Sequence, residues 1–177
     1  MKHLRRAAIS DEAVIRHLHL AAFGEEEGPV IGELATKLLK EPSEPEILNL
    51  VAVEEERLVG HIAFSPVYAK QDGALLGYLL APLAVRPGDQ RKGVGRALVG
   101  EGLRELKERG RGLILVYGDP AYYGRFGFNA DFANRFRPPF DLARPSGWQA
   151  MALTGKVPSG PPVDFTCVEA LNRPELW

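Results

Sequence analysis

Residues 83–98 read Leu-Ala-Val-Arg-Pro-Gly-Asp-Gln-Arg-Lys-Gly-Val-Gly-Arg-Ala-Leu, and this is the most informative stretch of the sequence. An apolar run ends at Val85, a polar turn follows, and a basic segment with two glycines opens a helical pattern. The first N–H groups of a helix lack intrahelical partners, so together with the helix dipole they attract anions. Gly93 and Gly95 let a ligand approach the backbone because no Cβ intervenes. The stretch therefore predicts a strand-to-helix turn that binds a pyrophosphate.

The spacing of the glycines separates three kinds of phosphate-binding turn. The P-loop pattern G-x-x-x-x-G-K-[ST] does not fit, because Lys92 precedes its glycine and no Ser or Thr follows. The dinucleotide pattern G-x-G-x-x-G/A does not fit either, because Leu98 occupies its third glycine position. The pattern Q/R-x-x-G-x-G/A fits, beginning at Gln90. Taken alone it leaves open a glycine-rich helix start without any ligand.

A second stretch follows the next apolar run, residues 113–116, and reads Tyr-Gly-Asp-Pro-Ala-Tyr-Tyr-Gly-Arg-Phe-Gly-Phe over residues 117–128. Together the two stretches resemble the GCN5-related N-acetyltransferase (GNAT) superfamily, and in particular its YhbS-like subgroup, over roughly residues 1–155. The resemblance implies an α/β fold, a GNAT-type three-layer α/β/α sandwich around a mixed, centrally splayed β-sheet. It also implies acetyl-CoA as the acyl donor.

The composition favours one domain and excludes several classes of protein. A chain of 177 residues with 45% hydrophobic residues can bury one core. The net charge of −1 gives no overall field for nucleic acid or a membrane surface. The single Cys167 permits no internal disulfide and lacks companions for a zinc site, so no metal is expected. We expect a GNAT domain over residues 1–155, an extension over residues 156–177 packed on it, a cytoplasmic location, and a monomer or homodimer.

Hydrophobic periodicity predicts the order of the elements. A first helix follows Ser10 and a second begins at Pro29, with an acidic turn over residues 25–27 that is either a solvated loop or the border of a site for a cationic acceptor. Three antiparallel strands are predicted over residues 47–53, 58–67 and 74–85, and Pro82 predicts a bulge or break in the last of them. A long helix then ends at Gly110, a strand follows over 113–116, and the last strands lie near 132–137 and 148–154.

The resemblance implies which residues bind the cofactor. Backbone groups of residues 83–85 would hold the pantetheine and the thioester carbonyl, and the turn would hold the pyrophosphate. The cofactor-binding residues implied in this way are Leu83, Ala84, Val85, Gln90, Arg91, Lys92, Gly93, Val94, Gly95, Arg96, Asp119 and Tyr122. Asp119 stands where many relatives carry Asn, so its contact with the pantetheine amide is in question.

Two residues are candidates for the chemistry. The resemblance implies that Tyr123 protonates the leaving thiolate, and a phenol with a reference pKa near 10 is protonated at neutral pH; an aromatic packed on CoA is the alternative. The strand-four Glu that many relatives use as a base is absent, since Leu79 occupies that position. His61, next to small residues on its strand, is either a base acting through water or a packed histidine. His17 and His19 lie two positions apart on a helix and cannot face each other.

These features predict an acetyl-CoA-dependent N-acetyltransferase that moves an acetyl group directly to a primary amine of a small molecule or a peptide. The alternative is a non-catalytic acyl-CoA-binding or regulatory protein of the same fold, which the missing Glu favours. A nucleotide-binding Rossmann module is disfavoured by Leu98 and by the antiparallel strands.

Overall fold

Residues 2–155 and 160–177 are described by a computed structural model. Its strands are β1 (Lys2–Arg6), β2 (Leu48–Glu54), β3 (Arg57–Ala69), β4 (Leu75–Val85), β5 (Leu113–Tyr117), β6 (Phe136–Arg137), β7 (Trp148–Ala152) and β8 (Val163–Cys167). Its α-helices are α1 (Glu12–Lys40), α2 (Val94–Glu108), α3 (Pro120–Tyr123) and α4 (Ala130–Ala133). Within these residues no helix has the length and apolar character needed to span a membrane.

The strands form a mixed sheet in the order β1-β2-β3-β4-β5-β7, and β8 pairs with β3 and β6. β2 and β3 pair antiparallel, as the alternating pattern predicts, and β1, which the sequence pattern does not predict, pairs antiparallel with β2. β4 and β5 are parallel and are joined through α2, which is the crossover expected between such strands. Their pairing covers Tyr78–Leu80 and Ile114–Val116, whereas β4 itself continues to Val85. The α/β fold with a mixed open sheet is therefore confirmed.

The proline in β4 does not interrupt the strand. β4 runs without a break from Leu75 to Val85 through a cis Ala81–Pro82 peptide bond. The described pairing with β5 ends two residues before Pro82, and a register shift lies instead between Ala52 and Val53 of β2. Pro82 has no N–H to donate, so it lies where the β5 ladder no longer requires a donor.

The chain divides into two compact units. The first contains Met1–Phe64 and Ala81–Arg104, and the second contains Ser65–Leu80 and Glu105–Trp177. β3 and β4 each contribute residues to both units. The predicted boundary between domain and extension falls at residues 156–159, outside the part of the chain that the structure describes, so that division stays a prediction.

In the first unit, helices cover both faces of β2 and β3. Ile15 and Ala35 of α1 form a buried cluster with Val51 and Val53 of β2. On the other face, Gly60 of β3 lies against Leu98 and Val94 of α2. Because side chains alternate along a strand, odd-numbered residues near His61 face α1 and even-numbered ones face α2. This three-layer arrangement matches the predicted sandwich.

Helix α1 contains the predicted pair of helices, but they meet at Gly24, so the second begins before Pro29. It is assigned over Glu12–Lys40, and Gly24 inside it has a non-helical backbone with φ 77° and ψ −173°. This glycine breaks the helix, since a positive φ is easily reached without a Cβ. The acidic turn predicted over residues 25–27 is wrong, because these residues are helical. They occupy the first turn after the break, where carboxylates are stabilised by the positive end of the helix dipole.

In the second unit, aromatic side chains form much of the core. The Trp148 ring stacks on Phe165 with centroids 5.8 Å apart and lies 6.0 Å from Trp177. The indole N–H of Trp148 donates to the carbonyl oxygens of Ala133 and Phe136 at 3.1 and 2.9 Å. The polar atom of a buried ring is thus satisfied. Strand β8, which the sequence pattern does not predict, brings Phe165 into this cluster.

Candidate active site

The turn between β4 and α2 lies in the first unit and has the backbone shape of an anion site. β4 ends at Val85, a short 3₁₀ turn covers Pro87–Asp89, and α2 begins at Val94. Gly93 has φ 83°, which reverses the chain into the helix. The N–H of Ala97 donates to the Gly93 carbonyl at 3.0 Å. The N–H groups of residues 94–96 lie in the first turn of α2, where N–H groups have no acceptor within the helix, so they can donate to a ligand.

The side chains of Asp89 and Gln90 stabilise this turn through hydrogen bonds to neighbouring residues. Asp89 is 4% exposed and accepts from Arg86 Nε at 2.6 Å and from Lys92 Nζ at 3.5 Å. The hydrogen bond and charge of Arg86, with the charge of Lys92, hold the pKa of the Asp89 carboxyl below its usual range. The Gln90 amide donates back to the Val85 carbonyl at 3.2 Å. The buried role of Asp89 was not predicted from the sequence, although its spacing of three positions from both Arg86 and Lys92 is suited to ion pairs.

The remaining predicted cofactor residues of this turn differ in exposure. Arg91 and Arg96 are exposed, and the Lys92 side chain is 60% exposed. A Cβ built on Gly93 meets no atom within 4 Å, so the space above this residue is open. Val94 is buried and can offer only its N–H. The turn thus presents backbone donors and three flexible cations, which suits a pyrophosphate.

The strand before the turn carries the other predicted cofactor residues of this unit. Ala84 is 2% exposed, and Leu83 and Val85 are half-buried. In β4, Leu79 is 2% exposed and pairs with Leu115 of β5. No carboxylate stands at position 79, so β4 supplies no base there.

Asp119, Tyr122 and Tyr123 lie in the second unit, around α3. The Asp119 carboxylate accepts from the Ala121 N–H at 2.9 Å and caps this helix. The Tyr122 ring lies 5.0 Å from the Tyr123 ring and carries the Arg125 guanidinium 4.7 Å above it. Asp119 therefore has a local structural role, and Tyr122 is held between an aromatic ring and a cation.

The Tyr123 side chain is half-buried, and neighbouring groups pack against its ring. Its ring packs edge-on against Phe128 at 5.8 Å, and no Cβ could be added to Gly118 without meeting this ring at 2.6 Å. Burial, with smaller contributions from Tyr122 and Asp119, raises the pKa of Tyr123 well above its ordinary value. The hydroxyl therefore carries its proton at every pH at which the protein would normally be studied, as a proton donor requires.

His61 belongs to a buried chain of polar groups in the first unit. Its Nδ1 lies 2.9 Å from Nε2 of His19, and its Nε2 lies 3.2 Å from Oδ1 of Asn49. The Asn49 amide nitrogen donates to the Leu38 carbonyl at 3.2 Å. Both histidines are fully buried, and burial lowers the pKa of His19 to about 4 and that of His61 well below 6.5. At neutral pH both rings are uncharged.

The protons in this chain have one consistent arrangement. Since the Asn49 nitrogen faces a carbonyl, its oxygen faces His61, whose Nε2 must carry the proton. His61 Nδ1 is then bare and accepts from Nε2–H of His19, which leaves His19 Nδ1 as a bare acceptor. That atom is buried and has no hydrogen-bond partner among the described residues. No role for His19 was predicted from the sequence, because its contact with His61 joins residues 42 positions apart.

No cluster of three or more His, Cys, Asp or Glu suited to a metal ion occurs within residues 2–155 and 160–177.

Comparison with known sequences places residues 3–130 in the family described as the acetyltransferase (GNAT) domain. An uncharacterized N-acetyltransferase of Escherichia coli, YjhQ, is 33% identical over 152 residues, which cover 83% of this chain and 82% of YjhQ. A second uncharacterized N-acetyltransferase of the same organism, YhbS, is 45% identical over 83 residues, 46% of this chain and 48% of YhbS.

Solved structures agree with these sequence matches. E. coli YhbS in complex with CoA superposes with a TM-score of 0.83 at 30% identity, covering 97% of this chain and 92% of YhbS. A GNAT family acetyltransferase from Brucella melitensis in complex with acetyl-CoA superposes with a TM-score of 0.69 at 34% identity, covering 97% and 98% of the two chains.

Proposed function

This chain belongs to the GNAT acetyltransferase family, and on that premise we propose that it moves the acetyl group of acetyl-CoA directly to a primary amine of a small molecule or peptide. The observation that carries the proposal is the turn at residues 90–96. There an open backbone at Gly93, unpaired helix N–H groups and exposed cations occur together. The complexes of YhbS with CoA and of the Brucella melitensis protein with acetyl-CoA support the same donor.

The donor would be bound by two backbone segments. The N–H groups of residues 94–96 and the side chains of Arg91, Lys92 and Arg96 would hold the pyrophosphate. The backbone of residues 83–85 would hold the pantetheine and polarise the thioester carbonyl. The described pairing of β4 with β5 ends at Leu80, so that ladder does not occupy the backbone groups of this segment. The Asp89 and Gln90 side chains would act indirectly, by keeping the turn in shape.

In the chemical step the neutral amine forms a bond from nitrogen to the thioester carbon, and the bond from carbon to sulfur breaks. The departing thiolate takes a proton, which we assign to the Tyr123 hydroxyl. The phenol is protonated at neutral pH, which is the form that a proton donor needs. Asp119 and Tyr122 would shape the segment around it.

The amine must also lose protons, and we propose that His61 contributes to this through His19. The buried chain ends in the bare Nδ1 of His19, and a proton taken up there makes the His19 ring cationic while its Nε2–H stays hydrogen-bonded to His61 Nδ1. His61 would be the positioning residue that keeps His19 in the correct tautomer, with Asn49 behind it. Both rings are uncharged at neutral pH, so the bare nitrogen of His19 is in the form that can accept a proton.

The direct test is release of the CoA thiol from acetyl-CoA in the presence of a panel of alkylamines, amino acids and peptides, with calorimetry of CoA binding in parallel. An acetyltransferase binds CoA and releases thiol faster with at least one amine, whose acetylated product is seen by mass spectrometry. Binding of CoA with no acceleration by any amine would favour the non-catalytic acyl-CoA-binding alternative. Failure to bind CoA would refute both.

We further propose that the protein is cytoplasmic, is a monomer or homodimer, and engages neither nucleic acid nor a membrane; the net charge of −1 supports the last two points. Static light scattering of the purified protein tests the oligomeric state. A trimer or larger assembly would contradict it.

A further inference from the structure

An open cavity of about 480 Å³ lies among residues of the first unit. It is formed where α1 passes the ends of β1, β2 and β3, and it includes Arg86, which directly follows β4. None of its lining residues is among those proposed above to bind CoA or to carry out the chemistry. Its volume falls within the range of about 300–1,000 Å³ that is usual for small-molecule sites.

One wall of the cavity is apolar. Val14, Leu18 and Ala21 of α1 line it, together with Val53 and Leu58. The three helix residues are spaced four and three apart, so they share one side of α1 next to Ile15, which packs into the core. Val14 is 48% exposed, and it is one of two large hydrophobic side chains left exposed in the described chain. An apolar ligand surface placed here would remove Val14 from water.

The lining of the cavity also contains three arginines, Arg5, Arg57 and Arg86. Arg5 is neutralised by a two-point bond to Asp11, at 2.7 and 2.9 Å. Arg86 bonds to Asp89 through Nε only. Arg57 is exposed, and its guanidinium forms no hydrogen bond or ion pair with a described residue. Although Glu56 and His17 also line the cavity, Arg57 and Arg86 retain guanidinium N–H groups that a ligand can use.

The two kinds of wall together define the ligand. A purely apolar ligand would leave the guanidinium groups unused, and a cation would be repelled by them. A guanidinium presents N–H groups in a planar fork that matches a carboxylate. We propose that this cavity binds a small amphipathic carboxylate, with its chain against Val14, Leu18 and Leu58 and its carboxylate on Arg57 and Arg86.

The experiment is a titration of the ¹⁵N-labelled full chain with sodium octanoate, followed by NMR. We expect saturable shifts that are largest at the amides of residues 14–21 and 57–58, with octylamine and octanol each binding at least about tenfold more weakly because they lack the carboxylate. Equal binding of the three compounds would overturn the proposal. Tighter binding of octyl phosphate than of octanoate would overturn the choice of a carboxylate.

Two variants and a matched control locate the site. Arg57→Gln should weaken octanoate binding by about tenfold to a hundredfold, the usual effect of losing hydrogen bonds to a charged group. Val14→Glu should abolish binding by placing a carboxylate in the apolar wall, and its exposure makes the substitution compatible with folding. Arg16→Gln removes the same charge from an exposed position on α1 outside the cavity and should bind octanoate as the parent does. Parental binding by Arg57→Gln and Val14→Glu would overturn the proposal.

The cavity and the CoA turn can be tested separately. Gly93→Val alters the turn but none of the cavity residues, so it should weaken CoA binding and leave the octanoate shifts unchanged. Loss of CoA binding with octanoate retained supports two sites. Octanoate binding that disappears together with CoA binding would show that the cavity is not an independent site.

Discussion

At the scale of single residues, Gly93 sets the shape of the turn before α2. Its φ of 83° lies in the left-handed region, which costs about 1–2 kcal/mol for a residue with a Cβ. No protein atom lies within 4 Å of a Cβ added there, so a substitution strains the backbone without any clash. The effect should therefore fall on the turn and on its ligand rather than on the core.

We predict that Gly93→Ala weakens CoA binding by about tenfold, because relief of the strain moves the N–H groups that face the ligand. Gly88→Ala is the matched control, since Gly88 lies in the same turn with equally open space and no left-handed backbone. Calorimetry with CoA measures both variants. Equal dissociation constants for the two would show that CoA does not depend on this turn.

A second residue-scale prediction concerns Tyr123. Tyr123→Phe removes only the hydroxyl, so single-turnover acetyl transfer to a verified acceptor should fall by about 10²–10⁴-fold, with CoA affinity nearly unchanged. Tyr122→Phe should leave this rate within a few-fold and act, if at all, on CoA affinity. Near-parental transfer by Tyr123→Phe would assign the ring to packing and the proton to water or to Tyr122.

At the scale of elements, α2 contains two glycines in different surroundings. A Cβ on Gly100 meets nothing within 4 Å, whereas a Cβ on Gly102 would overlap the ring of Phe64. Phe64 is fully buried in β3, so the ring has no free direction in which to move. Gly102 thus allows close approach of α2 to the sheet, and Gly100 has no such role.

We predict opposite changes in the free energy of unfolding for alanine at these positions. Gly100→Ala should stabilise the protein by about 0.5–1 kcal/mol, the helix preference of Ala over Gly. Gly102→Ala should destabilise it by about 1–3 kcal/mol, the usual cost of overpacking. Urea unfolding of both variants measures the two changes. Stabilisation by Gly102→Ala would mean that α2 and β3 are not packed closely.

At the scale of the whole molecule, the buried histidines link folding to pH. The folded pKa of His19 is about 4, below the ordinary value of 6.5, and that of His61 is also lowered. The charge of His19 adds to the lowering of the His61 pKa, and the charge of Asp11 partly offsets it. The ring of Phe23 stacks on His19 with the centroids 5.9 Å apart. A depressed folded pKa means that the fold favours the neutral ring. The resulting stability is present above pH 6.5 and is lost as the pH falls towards 4.

We predict that protonation of His19 alone lowers the free energy of unfolding by about 3 kcal/mol between pH 6.5 and 4. The figure follows from the difference between the folded and unfolded pKa values, at about 1.4 kcal/mol for each pKa unit. His19→Gln should have a shallower pH dependence over this range, whatever its stability at pH 7. His17→Gln, on the exposed side of the same helix, is the control and should retain the parental slope. Denaturant unfolding at a series of pH values measures the slopes, and equal slopes for parent and His19→Gln would contradict the link.

From the sequence alone, β2 to β5, α2 and the turn between β4 and α2 could be predicted, whereas β1 and β8 could not. Alternating and helical patterns predicted β2 to β5 and α2, because burial of one face imposes a period of two or of 3.6 residues. The glycines and cations of residues 90–96 predicted a helix start suited to a pyrophosphate, because that property is local to the backbone.

Only the tertiary structure decided which side chains meet across long separations. His19 and His61 are 42 positions apart, and their contact depends on the packing of α1 on β3. Arg57, at the start of β3, and Arg86, after β4, line one cavity although they are distant in the sequence. A residue pattern shows which face of an element is buried but not which partner covers that face. Residues 25–27 are helical, not a turn, because α1 is broken at Gly24. Long-range partners follow from the packing of whole elements, which no local period specifies.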